Sequence, residues 1–402
     1  MESAIILDGN LKSALACVRS LGERGIIVSV GATRDTGMAL HSRYATAVFM
    51  YPSPYTHQVD FIEAVKHEAV RLGGKPVVYA LSDATWLSLY TYRDMLAPYM
   101  TLIFPSETSV DIAFDKGATY SLAHVSAVHT IPTKAPVTHE EILNLSRDIN
   151  YPVVVKSRRS VTWKDGVGIF GTASFVQSAE ALVSQFEKIT HESGESPLIQ
   201  TCIYGEEYGV EMLAHKGKYF ALTVHHRLRS LSPTGGASVL KETIGEGDLY
   251  HELRGYAEVL VKKLAWSGPI MVEFKVDSDT RTPYLMEING RFWGSLPISV
   301  AAGADMPYQY FMYATTGKPP TQITYGREGV VSNHRMGDVA HLMRVLFKRD
   351  AMRTHLYPNR TSALRNFFAL PKGTVSDVWS LHDPKPSLME IIDILKKFFP
   401  KK

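Results

Sequence analysis

The feature that most limits how this chain can fold is a pair of strand-like segments, MVEFKVD (271–277) and PYLMEING (283–290), joined by the turn SDTRTP. In a strand, successive side chains point to opposite faces. Val272, Phe274 and Val276, with Met286 and Ile288 of the second segment, thus form an apolar face. Met271, Glu273, Lys275 and Asp277 share the other face, as do Leu285, Glu287 and Asn289. With the turn centred near Thr280, Glu273 lies opposite Glu287. Like charges directly opposed destabilise a strand pair. Two resolutions are open: a solvated face with Lys275 or Arg291 as partner, or a cation held between the carboxylates. The wholly apolar reverse face, and the run into Gly290, Trp293 and Gly294, favour the second. A hard cation such as Mg2+ takes carboxylate oxygens and keeps positions open for phosphate oxygens.

At 402 residues the chain is expected to form two or three domains. A charged fraction of 21% and a net charge of +3 give no reason to expect a nucleic-acid or anionic-membrane partner. Cys17 and Cys202 lack any CxxC partner, which argues against a disulfide scaffold or structural zinc. MESAIILDGN lacks the pattern of a signal peptide, and no window of about 18 apolar residues marks a membrane span. The expected location is cytoplasmic.

The first hundred residues alternate buried runs (AIIL, GIIVSV, PVVYAL, TLIF) with helical spacing after Asn10, which is expected to cap a helix, and with a capped helix from about Thr56 to Leu72. That alternation predicts a parallel sheet covered on both faces. Its first turn, DGNLKSA, has one glycine where a dinucleotide fingerprint needs three, so a nicotinamide oxidoreductase is disfavoured. The stretch SETSVDIAFDKGATYSLAHVSAV reads as helix, and THEE at 138–141 as a capping box. VVVK ends a strand on Lys156, and a polar loop with glycines at 166, 168 and 171 follows. Strands are predicted at PLIQTCI, YGVEML and YFALTVHHR, then a helix from about Asp248 to Leu264. His225, His226, Arg227 and Arg229 precede a Gly235–Gly236 loop, and helices are expected near 341–353 and 388–399, the first with the basic run MRVLFKRD.

Taken in order, Asp115-Lys116 before a helix, VVVK, IQTCIYGEEYGVEML, MVEFKVD and MEINGRFWGS resemble the ATP-grasp superfamily of carboxylate-amine ligases, in its carbamoyl-phosphate-synthetase-like and D-alanine-ligase-like branches. The resemblance spans about residues 1–315. It implies a mixed α/β and α+β multidomain fold: a Rossmann-like domain (1–105), a small lobe (106–195), a large lobe (196–317) and a C-terminal extension (318–402). It further implies ATP and Mg2+, with Mn2+ able to substitute, acting on a small carboxylate and an amine through an acyl-phosphate. Lys116 and Lys156 would then hold phosphates, and Gln200 and Ile203 would meet the adenine. Glu207 would take the ribose hydroxyls, and Glu273, Glu287 and Asn289 the metal. Arg291 would act on the phosphoryl group, with Arg227 or Arg229 beside it. Gln200 stands where the family's commonest pattern has an acid. A homo-oligomer is compatible with all of this. The rival readings are a bicarbonate-activating carboxylase or carbamoyl-phosphate-type enzyme, and a nucleotide-binding protein without ligase activity.

Overall fold

A computed structural model describes residues 2–347 and 357–398. The first sheet is parallel, in the order Ala47–Met50, Ile27–Ala32, Ser3–Ile6, Val77–Tyr79. Helices Lys12–Gly22 and Gln58–Leu72 contribute to the two clusters of buried residues that enclose it. Side-chain caps at Asn10 and Thr56 do not form: the helices start at Lys12 and Gln58, with Leu11 and His57 before them. TLIF makes only a single bridge, Thr101 to Val77.

The expected helix across Asp115 is two helices, Glu107–Phe114 and Lys116–Val125. Asp115 adopts extended dihedrals, and its carboxylate accepts from the N–H groups of Gly117 and Ala118 at 2.7 and 3.1 Å. An aspartate stabilises a helix start more than a helix interior, so it divides the run. The capping box Thr138–Glu141 forms as expected and opens His139–Asp148.

A second sheet, antiparallel, runs Thr133–Lys134, Leu198–Thr201, Val153–Lys156, Ala173–Val176. The polar loop after Lys156 is a hairpin, Val161–Lys164 with Val167–Phe170. It rests on the first domain: the Gly168 N–H donates to the Tyr55 carbonyl at 2.6 Å, and Phe170 stacks on Tyr55 with ring centres 4.1 Å apart.

The largest sheet runs Pro283–Asn289, Gly268–Asp277, Gly205–His215, Lys218–Ser232, Gly235–Thr243, Val331–Asn333, Val375–Ser376. Its last two strands come from the stretch expected to be a C-terminal extension (318–402), which is therefore built into this sheet. One face packs Val272, Phe274 and Val276 against Leu253, Ala257 and Leu260 of the helix Asp248–Lys263. The other face is the floor of a cavity of about 1020 Å³. Lys348, Arg349 and Asp350 of the basic run, the last turns expected near 353, and Phe399 lie outside the described residues.

Candidate active site

The antiparallel register sets three rows of residues across the large sheet. Arg227, Glu207 and Lys275 form one row. His225, Gly209, Glu273 and Glu287 form the next, and Thr223, Glu211, Met271 and Asn289 the third. Glu273 stands directly opposite Glu287, as the turn placement predicted.

The pairing shifts immediately beyond. Glu273 opposes Glu287, but Phe274 opposes Leu285, so Met286 is the extra residue of a bulge. The expectation that Leu285 shares a face with Glu287 is thereby corrected. Leu285 is fully buried in the core, while Met286 lines the cavity beside Glu287. The Met286 carbonyl, outside the ladder, accepts from the Tyr120 hydroxyl at 2.7 Å. A buried backbone carbonyl left unpaired would be costly, and Tyr120 removes that cost.

Around the two acids the charges interlock. Arg227 donates to Glu207 at 2.6 Å and to Glu273 at 3.1 Å. Lys275 approaches Glu207 at 3.3 Å, and Lys116 approaches Glu287 at 3.6 Å. The Asn289 amide donates to Glu273 at 3.2 Å and lies 3.5 Å from Glu287. Arg291 forks onto Asp83 at 2.9 and 3.3 Å and donates to the Asn289 carbonyl oxygen at 3.1 Å.

Burial raises the carboxyl of Glu273, helped by Glu287 and Glu207, and Arg227 only partly offsets it. Burial acts on Glu287 too, but Lys116, Lys156 and Arg291 outweigh it and hold that carboxyl below its usual range. Burial lowers the Lys156 ammonium, with Glu287 opposing. Among the described residues no three His, Cys, Asp or Glu side chains form a metal cage. The set Glu273, Glu287 and Asn289 nevertheless supplies only oxygen ligands and an amide, which suits a hard cation completed by ligand oxygens.

Lys116, Lys156, Glu273, Glu287, Asn289 and Arg291 thus converge, with Arg227 and Glu207 adjoining. Lys156, Gln200, Ile203, Glu207 and Met286 line the cavity, with Ile131 and Val154 adding apolar wall. Gln200 is buried and donates to the Thr133 hydroxyl at 2.9 Å. Both Glu207 oxygens hold cations rather than standing free. Arg229 also lines the cavity, but its guanidinium is bound to Asp338 at 2.9 Å and to the Asn366 carbonyl at 3.2 Å. It faces the C-terminal extension rather than the acid pair. In the loop after Lys156, Arg158 pairs with Asp115 at 3.1 Å and Arg159 with Glu195 at 3.1 Å.

Sequence reasoning missed Asp83, Met286 and Lys12. Asp83 opens a helix of the first domain with no local mark of its role. Met286 reaches the cavity only through the bulge, and Lys12 only through the docking of the first domain.

Residues 194–335 match a family described as ATP-grasp in the biosynthetic pathway with Ter operon. No curated protein matches the sequence. Among solved structures, the chain is similar to biotin carboxylase from Campylobacter jejuni in complex with β,γ-ATP (TM-score 0.65, 17% identity, 82% of this chain and 74% of that chain). It is similar to the biotin carboxylase domain of 2-oxoglutarate carboxylase from Hydrogenobacter thermophilus, solved with MgADP and bicarbonate (0.62, 15%, 82% and 73%). It is also similar to L-amino acid ligase from Bacillus licheniformis (0.55, 15%, 78% and 74%). At these identities the likeness establishes a shared fold.

Proposed function

Because the chain has the ATP-grasp fold, we propose that it is an ATP-dependent ligase that phosphorylates a small carboxylate, such as an amino acid, and joins it to an amine. The observation that carries this reading is the Glu273–Glu287 opposition inside a ring of cations: Lys116, Lys156, Arg227, Lys275 and Arg291. Apolar packing in place of buried ion pairs is often neutral or stabilising, so stability alone is a weak reason for such a ring. The ring suits a ligand that is itself highly charged.

In this reading the apolar end of the cavity, with Ile131, Val154, Ile203 and Met286, takes the base. Lys116 and Lys156 hold the terminal phosphates as compact point charges. Glu273, Glu287 and Asn289 would hold Mg2+, which supplies charge neutralisation at the transferring phosphoryl group. Arg291 is held in place by Asp83, so its charge is positioned before the reaction begins. A substrate carboxylate oxygen bonds to the γ-phosphorus and ADP leaves. The amine nitrogen then attacks the acyl carbon, and phosphate leaves with the former carboxylate oxygen. Water must be kept from the acyl-phosphate, and in this reading the hairpin after Lys156, which rests on Tyr55, is the element that moves to exclude it.

The test is release of ADP and phosphate with Mg-ATP over a panel of amino acids and amines, with product masses read in parallel. Turnover that requires one acid and one amine, with a product mass equal to their sum less water, supports the ligase. A second reading, bicarbonate activation, draws on the similarity to the bicarbonate-bound carboxylase domain. Turnover with bicarbonate alone would replace the first reading with that one.

A further inference from the structure

The cavity is larger than a nucleotide site needs, and its far end is built by three parts of the chain. Lys12 comes from the first domain, Ser238 and Trp293 from the large lobe, and His341, Ala363 and Asn366 from the C-terminal extension. The helix that begins at Lys12 packs on Leu296–Ala301, which in turn packs on Gly235–Thr243, so Lys12, Trp293 and Ser238 are brought to one corner. The Lys12 ammonium donates to the Ser238 carbonyl at 3.0 Å, which fixes their adjacency.

Lys12 and Lys241 both pair with Asp377, at 2.5 and 2.8 Å, and all three are buried. The buried Glu211 also acts on Lys241, so the two ammonium groups face two acids, and of the two cations it is Lys12 that lines the cavity. Two hydrogen-bonding groups at the same corner have no partner among the described residues: the Trp293 indole N–H and the Ser238 hydroxyl. Trp293 is wholly buried and Ser238 is 6% exposed. A buried donor without an acceptor costs about 1–3 kcal/mol, and an indole N–H can only donate. Beside them Gly294 is exposed, and nothing stands within 4 Å of the place its Cβ would take, so a ligand can approach the chain there.

We propose that Lys12, Trp293 and Ser238 form a subsite for a non-reacting carboxylate, that of the amino-acid substrate whose other group reacts at the Glu273–Glu287 end. A carboxylate accepts from the indole and the hydroxyl, with the Lys12 ammonium beside them. The subsite rests on the ligase reading and names one recognition element of its substrate.

The experiment is calorimetric titration of the full chain loaded with MgADP. The probes are the common amino acids, singly, and then the C-terminal amides of those that bind. We expect at least one acid to bind and its amide to bind at least tenfold more weakly. In Trp293→Phe and Ser238→Ala, which keep the ion pairs of Lys12, that gap falls to threefold or less while MgADP affinity holds. Lys12→Gln weakens the acid further and serves as a confirming variant. The subsite is overturned if no amino acid binds, if acid and amide bind alike, or if the gap survives both substitutions. A wild-type chain that fails to bind MgADP overturns the nucleotide reading and the subsite with it. Retained MgADP binding without a carboxylate preference overturns the subsite alone.

Discussion

Glu287 and Glu273 occupy one row of one sheet, yet their surroundings drive them apart: three cations hold Glu287 ionised, while burial and neighbouring acids lift Glu273. Glu287→Gln keeps the shape and removes the charge. We expect ADP release to drop by about 10²-fold or more, with thermal unfolding little changed. Wild-type turnover in that variant would sink the metal assignment. Arg227 bridges two part-buried carboxylates, so Arg227→Met leaves both without their shared partner. The loss is about 3–5 kcal/mol, read as a lower urea midpoint at unchanged slope. Glu273, Glu287, Asn289 and Arg291 were all legible from alternation and resemblance. The partner of Arg291, Asp83, was not, because 208 residues separate them and only docking brings them together.

Within single elements, spacing foretold type better than detail. The parallel sheet, the capping box at Thr138 and the opposed acids follow from local pattern, since period and capping chemistry act over a few residues. The bulge at Met286 does not, because its carbonyl is satisfied by Tyr120, far off in sequence. Gly209 shows the same limit. A glycine inside an 11-residue strand looks like a defect, yet a Cβ there would lie 2.4 Å from the His225 ring. The missing side chain leaves room for the buried imidazole next to Glu211 at 3.1 Å. We expect Gly209→Ala to push the ring aside at a cost of about 1–3 kcal/mol. Equal or greater stability by chemical denaturation would show that the ring has room to spare.

At the scale of the whole molecule, Asp377 joins three parts of the chain: Lys12 of the first domain, Lys241 of the large sheet and its own strand from the extension. Burial works to raise its carboxyl, but Lys12 and Lys241 outweigh that and hold it well below the usual 3.8. A folded value below the unfolded one stabilises the fold above about pH 4 and is lost as pH falls further. The wild-type chain should therefore lose stability below about pH 4 more steeply than Asp377→Asn, which lacks this titration. At neutral pH the variant, with two buried ammonium groups unpaired, should be less stable by about 3–5 kcal/mol. Parallel acid unfolding curves for the two proteins would contradict this. Lys241 acts in the same sense in a higher window: burial lowers its ammonium to about 8, so stability again rises with pH from there toward 10.5.

The sequence by itself determined the element types, the row of acids and the order of charged motifs, because alternation, capping and charge opposition are short-range and each is written in neighbouring residues. Tertiary structure alone decided which cations meet which acids, that Met286 rather than Leu285 faces the cavity, and that Arg229 turns to Asp338. It also decided that the extension completes the large sheet. Those outcomes depend on contacts between residues tens to hundreds apart, where burial makes each buried charge and carbonyl take whichever partner the packed chain brings within reach.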